Sequence, residues 1–217
     1  MKEYEQEMIN VLSALNEADA LKHVVIAGSW SMYFYRYIFD NFVPRTETTD
    51  LDLYLPNPKR ATGNDFSSKM SKYSYRRVND YLTGKTRFRS ESGFSIEFLT
   101  TPDRTMSSTI SVPGLNIVAE ALPKMAPAGW NYIQVIFNGL TVNVVSPVSF
   151  VLQKLLINKD RKDKYKKIKD LDAIRYVLSF VKLSQKYSLE LEESLKTYPK
   201  KWKKIIEETA AENGIEL

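Results

Sequence analysis

Hydrophobic residues recur along the first hundred positions with two periods, one typical of helices and one typical of strands. The period of 3.6 residues predicts three helices, over residues 2–19, 29–39 and 65–83. Shorter apolar or alternating runs predict four strands, over residues 22–27, 49–55, 86–90 and 94–100. Together these segments predict an α/β (α+β) fold in which helices pack on a sheet.

The second half of the chain changes from strands to helices near residue 145. Prolines between residues 101 and 128 predict loops with short strand pieces, and Asn138-Gly139 predicts the turn of a hairpin. The strands of that hairpin would be Tyr132–Phe137 and Leu140–Val145. Ser146 before Pro147 predicts a helix start, because the first caps a helix and the second suits its first turn. Helical periods then continue over residues 147–156, 168–181, 189–196 and 199–213.

Two aspartates share one face of the predicted strand 49–55. Strict alternation places Leu51, Leu53 and Leu55 on one side and Asp50, Asp52 and Tyr54 on the other. Carboxylates two residues apart on a strand lie about 6–7 Å apart at Cα. Like charges at that distance repel unless cations or hydrogen-bond donors neutralise them. The Leu face enters a core, so the Asp face meets water, a metal or a helix.

A small corner precedes this strand. The apolar strand through Val24–Ala27 stops at Gly28-Ser29, where a helical run begins. A strand, a flexible turn and a helix let backbone N–H groups approach a phosphate closely. Gly28-Ser29 beside the aspartates therefore predicts phosphate donors next to a divalent-metal site, provided that the strands near 23–27, 49–55 and 93–99 are adjacent.

Two further positions carry two interpretations each, and one pair of acids carries a single one. Glu97, an acid between Ile96 and Phe98, is either an outward-facing charge or a third carboxylate that completes the metal site. Lys154, at the edge of an apolar helix face, either extends along the surface to solvent or reaches into a cleft. The acids near Lys169, at Asp170 and Asp172, suit the first turn of a helix through its dipole and need no other role.

Composition narrows the chemistry. The chain has 217 residues, 43% hydrophobic and 26% charged, with no Cys and one His. Cys-based zinc sites, disulfides and His-dependent triads are therefore not expected, and oxygen ligands for Mg²⁺ or Mn²⁺ remain. The polar start of the chain is unlike a signal peptide, and no apolar run has membrane-spanning length, so we expect a cytoplasmic protein without membrane association.

Positive charge is unevenly distributed although the net charge is only +5. Residues 159–169 hold seven Lys or Arg against two Asp, and residues 196–204 hold five Lys and no acid. Such runs serve a polyanion, for example RNA or a nucleoside triphosphate, or form solvated helix faces. The candidate RNA- or acceptor-binding residues are Arg161, Lys162, Lys164, Lys166 and Lys167.

The ordered set of motifs resembles the nucleotidyltransferase superfamily related to DNA polymerase beta. The resemblance rests on Gly28-Ser29, a helix, Arg45-Thr46 and Thr49-Asp50-Leu51-Asp52-Leu53. The later motifs and the long interval before Asp50 are more similar to the AbiEii-type toxin branch of bacteria and archaea. These later motifs are Val145-Ser146-Pro147, Lys154, Arg161 and Lys169-Asp170-Leu171. The resemblance covers roughly residues 22–180.

This resemblance implies a mixed, largely antiparallel sheet with flanking helices in residues 1–145, and a helical C-terminal region in residues 146–217. It also implies site roles. Asp50 and Asp52 would bind two Mg²⁺, with Glu97 as the third acid. Gly28 and Ser29 would hold the triphosphate with help from Lys154. The third acid of the superfamily is commonly Asp, which is one methylene shorter than Glu97.

Two functions are compatible with these features. The first is metal-dependent transfer of a nucleotidyl group from an NTP such as ATP to a hydroxyl of RNA or tRNA, a protein or a small molecule. Such phosphoryl chemistry requires positioning and charge neutralisation more than a covalent catalyst. The second is a catalytically inactive module of the same fold that binds nucleotide, RNA or a toxin–antitoxin partner. Retention of three acids favours the enzyme.

Overall fold

The computed structural model describes residues 2–45, 48–104, 106–125 and 131–217. Within these ranges nine strands form one sheet: β1 (Val25–Ala27), β2 (Asp50–Tyr54), β3 (Arg76–Asn79), β4 (Thr86–Arg89), β5 (Ser95–Thr100), β6 (Thr109–Val112), β7 (Ile117–Ala121), β8 (Tyr132–Phe137) and β9 (Leu140–Val145). The same ranges hold seven α-helices: α1 (Lys2–Glu17), α2 (Ser31–Tyr35), α3 (Phe66–Lys72), α4 (Pro147–Asn158), α5 (Lys164–Leu183), α6 (Gln185–Thr197) and α7 (Lys200–Glu212).

The sheet is mixed, as predicted. Its main path runs β3-β4-β5-β2-β1-β9-β8, while β7 pairs with the end of β5 and with β6. Antiparallel pairing joins β1 to β2, β3 to β4, β4 to β5, β6 to β7 and β8 to β9. The pairs β1–β9, β2–β5 and β5–β7 are parallel. The three strands expected to be adjacent lie side by side at the centre, as β5-β2-β1.

The core confirms the two apolar faces that matter most for the site. Leu51, Leu53 and Leu55 are fully buried, so the opposite face of β2 is the one that carries the aspartates. Helix α4 buries its apolar residues and packs against α5 and α7. The Ser146 hydroxyl accepts a hydrogen bond from the Ser149 N–H at 3.0 Å, which is the predicted N-cap. None of the helices in the described ranges has the length and apolar character that crossing a bilayer requires.

Several predicted boundaries are wrong. The segment 65–83 is helical only to Lys72, because Ser74 adopts a left-handed φ of 64° and the chain continues as β3. The strand predicted from residue 22 begins as a 3₁₀ turn, Leu21–His23. Another 3₁₀ turn, Gly28–Trp30, precedes the short α2, and α6 begins at Gln185 rather than at residue 189. The prediction of loops with short strand pieces over 101–128 is confirmed, and β6 and β7 are these strand pieces. Residues 105 and 126–128 lie outside the described ranges.

Candidate active site

Neighbouring strands bring the predicted acids together on one face of the sheet. In the parallel pair β2–β5, Asp52 lies opposite Glu97 and Asp50 lies opposite Ser95. On the other side of β2, Ala27 at the end of β1 lies opposite Asp52. Because paired residues of adjacent strands point to the same face, the carboxylates of Asp52 and Glu97 share a surface that begins beside Gly28.

Gly28 is required by both its backbone and its neighbour. Its φ is +61°, the left-handed region that favours glycine. A Cβ added at this position would lie 2.0 Å from Oδ2 of Asp52, closer than any non-bonded contact allows. The turn after β1 therefore lies directly against the Asp52 carboxylate, and Ser29 continues that turn as part of the 3₁₀ segment.

Burial and like charges alter the titration of this acidic face. Burial, together with the negative charges of Glu97 and Asp50, raises the pKa of the half-buried Asp52 from 3.8 to about 7, and the positive charge of Lys154 opposes this shift. Burial also raises the pKa of Glu97, although the guanidinium of Arg87 opposes this shift. The Arg87 Nε lies 3.0 Å from the Glu97 Oε1. The sheet thus holds carboxylates whose ionised forms are poorly compensated by the protein.

The helices across from this face carry paired charges. Lys154 on α4 donates a hydrogen bond to one oxygen of Asp170 on α5, and the Arg161 Nε lies 2.9 Å from the other oxygen. The side chains of Lys154 and Asp170 are only 6% and 8% exposed. Burial lowers the pKa of Lys154, while Asp170 opposes the shift by favouring the charged ammonium. Asp170 therefore fixes two cations at the edge of the acidic face.

These two surfaces are the walls of one cleft of about 390 Å³. Of the residues predicted to form the site, those lining this cleft are Gly28, Ser29, Asp50, Asp52, Glu97, Lys154, Arg161 and Lys166. The described lining does not include Lys162, Lys164 or Lys167. The predicted acids and the predicted phosphate-binding residues thus lie together, whereas only part of the basic run does. Thr46, a member of the predicted motif, lies outside the described residues.

Several residues that line the cleft, among them Asp170, Arg87 and Glu120, have no site role in the sequence interpretation. Asp170 is not in the first turn of its helix, which begins at Lys164, so the helix-dipole interpretation is wrong. Arg87 and Glu120 line the cleft from β4 and β7, and Glu120 pairs with Lys85 at 2.5 Å. The alternating Arg87-Phe88-Arg89 run indicates one exposed face of a strand. Only the strand register shows that this face meets Glu97.

The donor chemistry of the acidic face fits a hard divalent cation. Asp50 and Asp52 offer carboxylate oxygens on one strand, and their mutual repulsion with Glu97 is the kind that Mg²⁺ or Mn²⁺ relieves. Among the residues that the structure describes, no three His, Cys, Asp or Glu side chains are gathered closely enough to form a complete metal site. Glu97, held by Arg87, would have to exchange that partner to become a third ligand.

Comparison with solved structures found the following three proteins, each at low sequence identity to this chain. One is an antigenic nucleotidyltransferase-like protein from Paracoccidioides brasiliensis, with 16% identity over 94% of this chain and 92% of that chain and a TM-score of 0.49. Another is ANT(2")-Ia in complex with adenylyl-2"-tobramycin, with 12% identity over 95% and 97% of the two chains and a TM-score of 0.49. The lincosamide antibiotic adenylyltransferase LnuA, with lincomycin bound, shows 12% identity over 81% and 97% and a TM-score of 0.47.

Comparison with curated proteins returned no match. The profile of a protein family described as Nucleotidyltransferase matches residues 6–198, which include every residue placed in the cleft. The match confirms the superfamily resemblance, and the narrower likeness to the AbiEii-type branch is not confirmed. The chain belongs to this family of nucleotidyltransferases.

Proposed function

We propose that the protein is a metal-dependent nucleotidyltransferase, which transfers a nucleotidyl group from an NTP to an acceptor hydroxyl and releases pyrophosphate. Family membership supports nucleotidyl transfer in general. The finer proposal rests on the two opposed walls of one cleft: the acids of β2 and β5 face the buried Lys154–Asp170 pair and the half-buried Arg161. A triphosphate bound to a divalent cation needs carboxylates that bind the cation and positively charged side chains that bind the phosphates.

The acidic wall would hold the cation. Asp50 and Asp52 are the proposed Mg²⁺ or Mn²⁺ ligands, and Glu97 is the proposed third acid once Arg87 turns away from it. A bound divalent cation would neutralise phosphate charge and favour attack by a hydroxyl on the α-phosphorus. Gly28 would let the turn after β1 approach both the Asp52 carboxylate and the phosphates without a Cβ between them.

The helical wall would bind and orient the phosphates. Lys154 is the proposed cation for the triphosphate, with Arg161 and Lys166 beside it at the cleft. Because Asp170 fixes Lys154 before any ligand arrives, little side-chain entropy is lost when the ammonium meets a phosphate. In this proposal residues 1–145 supply the acids and the turn, and residues 146–217 supply the cations.

The proposed acceptors are a hydroxyl of RNA or tRNA, of a protein side chain or of a small molecule. The test is incubation with each NTP labelled at its α-phosphate, Mg²⁺ and a cell extract. We expect labelled product and released pyrophosphate from the wild type. Asp52→Asn should reduce transfer by about 10³-fold, the scale of losing a main electrostatic partner of a transferring group. Glu91→Gln, which neutralises an exposed acid in the β4–β5 turn, is the matched control and should retain full transfer.

A second candidate function is a catalytically inactive module that binds nucleotide, RNA or a toxin–antitoxin partner. The pairing of Glu97 with Arg87 favours it, since a carboxylate already engaged by a guanidinium is not ready to bind a metal. This module would bind NTP but transfer no label to any macromolecule or small molecule of the extract. NTP affinity that is equal with and without Mg²⁺ would also favour the module over the enzyme.

A further inference from the structure

A second cleft of about 510 Å³ adjoins the acidic one. Ser29 and Lys169 line both clefts, so the two spaces meet beside the turn after β1. The walls of the second cleft come from α2, from the segment before β2 and from one face of α5. Its position places it where a group attached to a triphosphate at Ser29 would extend.

The α5 face of this cleft exposes apolar side chains among lysines. Tyr165 is 74% exposed and Ile168 is 60% exposed, in the most basic part of the chain. A lysine-rich solvated helix face has no need for an aromatic and a branched aliphatic side chain, one helical turn apart, at the mouth of a cleft. Their exposure leaves a surface on which a flat, weakly polar group can lie.

The segment before β2 adds a planar cation to the lining of this cleft. The Arg45 guanidinium lies 4.1 Å from the centre of the Tyr176 ring. Tyr176 is fixed in place, because its hydroxyl accepts from the Val43 N–H at 3.1 Å and donates to the Val43 carbonyl at 2.9 Å. A guanidinium stacked on a fixed ring is well suited to stack a further ring on its outer face.

We propose that this second cleft binds the nucleobase of the NTP, between the Arg45 guanidinium and the side chains of Tyr165 and Ile168. The inference rests on the proposed function, since it assigns the nucleoside part of the same substrate. Continuity with the phosphate-binding turn through Ser29 and Lys169 favours an NTP over any ligand without phosphates. Asp172 at the rim offers a carboxylate that accepts hydrogen bonds from an amino group of the base or from ribose hydroxyls.

The experiment compares ATP with inorganic tripolyphosphate, each with Mg²⁺, by calorimetric titration. Tripolyphosphate probes the phosphate site alone, so the ratio of the two affinities measures what the nucleoside adds. Tyr165→Ala should weaken ATP binding by about 10-fold, the scale of losing one stacking partner of a base. Arg45→Lys keeps the charge but removes the planar group, and it should weaken ATP binding similarly. Both variants should bind tripolyphosphate like the wild type.

Tyr81→Ala is the matched control, because Tyr81 is fully exposed on the β3–β4 turn and should change neither affinity. Equal weakening of ATP and tripolyphosphate by Tyr165→Ala would overturn the inference, as would an unchanged affinity for ATP. Unchanged ATP binding with weaker binding of a single-stranded RNA oligonucleotide would assign Tyr165 to the acceptor instead. A wild type that binds neither ATP nor tripolyphosphate would overturn the proposed function and this inference together.

Discussion

The two walls of the acidic cleft handle charge in opposite ways. On the sheet, Asp50, Asp52 and Glu97 bring like charges together, and the pKa of Asp52 rises to about 7 because its ionised form is poorly compensated. On the helices, the deeply buried Lys154 and Asp170 form an ion pair, and Arg161 binds the second oxygen of Asp170, so each buried charge has a partner within the wall itself. The buried charges of the helical wall are paired within the protein, whereas the ionised form of Asp52 is poorly compensated by it.

We propose that each wall serves a different step of the transfer. A balanced, buried group keeps its geometry in the absence of ligand and suits the positioning of a phosphate. Carboxylates that repel one another, half-buried at Asp52 and Glu97 and exposed at Asp50, gain most when a cation arrives, so they suit recruitment of a metal. The contrast can be tested by removing one charge from each wall and by varying pH.

The largest effect is expected from breaking the helical wall. Asp170→Ala leaves Lys154 and Arg161 without their shared acceptor and should lower the free energy of unfolding by about 3 kcal/mol, measured by urea denaturation. Lys154→Met leaves Asp170 paired with Arg161, so stability should change by less than about 1 kcal/mol. NTP affinity should nevertheless fall about 10- to 100-fold, because a charge-assisted contact to the phosphates is lost.

The double variant Asp170→Ala/Lys154→Met sharpens this result. Removing the buried cation as well should recover much of the lost stability without restoring NTP affinity. Wild-type NTP affinity in the Lys154→Met protein would contradict the proposed role, and the helical wall would then serve the fold alone.

The next largest effect is expected from a change in the turn after β1, where this turn contacts the acidic wall. Gly28→Ala places a Cβ against Oδ2 of Asp52, so the carboxylate must move. A displacement of about 1 Å at a reacting centre costs roughly 100-fold in rate.

Gly84→Ala is the matched control, since Gly84 also has a positive φ, +72°, but has no atom within 4 Å of the added Cβ. Both variants should lose about 1 kcal/mol of stability from the backbone, and only Gly28→Ala should lose transfer activity. Equal activities would show that the turn tolerates a side chain.

A smaller effect is expected from pH on the metal-free protein. Below pH 3.8 the Asp52 carboxyl is protonated in the folded and the unfolded chain. Between pH 3.8 and about 7 only the folded chain retains this proton, so the free energy of unfolding falls as pH rises, and the loss is complete above pH 7. After allowance for partial exposure, the loss is on the order of 1–2 kcal/mol.

The measurement for this effect is the difference between the wild-type and Asp52→Asn stability curves with a chelator present. The difference isolates Asp52 from Glu97, whose raised pKa acts in the same direction. Added Mg²⁺ should reduce the loss above pH 7, because the cation binds the ionised form. A difference curve that does not change with pH would mean that the protein itself compensates the negative charge of Asp52 on the acidic wall.

The two walls also differ in how far the sequence predicted them. Strict alternation in residues 49–55 is a local pattern, so the shared face of Asp50 and Asp52 and the buried leucines opposite them were predictable. The adjacency of the three central strands followed from requiring Gly28, Asp50 and Glu97 to meet, whereas their order, β5-β2-β1, was not predicted. The segment 65–83 was predicted incorrectly, because a single left-handed residue, Ser74, changes helix to strand and leaves no periodic signal.

The helical wall depends on contacts that no local pattern contains. Lys154 and Asp170 are 16 positions apart on different helices, and their pairing follows from how α4 packs on α5. Likewise, the meeting of Arg87 with Glu97 depends on the register of a hairpin. Asp170 was interpreted as an N-terminal acid because its helix was predicted from residue 168, whereas the helix begins at Lys164. The sequence therefore did not predict which side chains pair between different helices and strands.

The smallest effect on nucleotide binding is expected from lysines outside the cleft. Changing them tests whether the positively charged surface of the helical wall continues beyond the cleft. Lys162, Lys164 and Lys167 belong to the basic run but do not line the described cleft. Their joint change to Gln should alter NTP affinity by less than about 2-fold, since exposed charges at a distance are screened by salt. If RNA is the acceptor, the slope of log affinity against log salt should fall by about 2, at roughly 0.7–0.9 per phosphate contact. The control is the triple change of Lys59, Lys182 and Lys186 to Gln, which are exposed and lie outside both basic runs. Equal effects of both triples on RNA binding would reflect net charge only, and the basic wall would then end at Arg161 and Lys166.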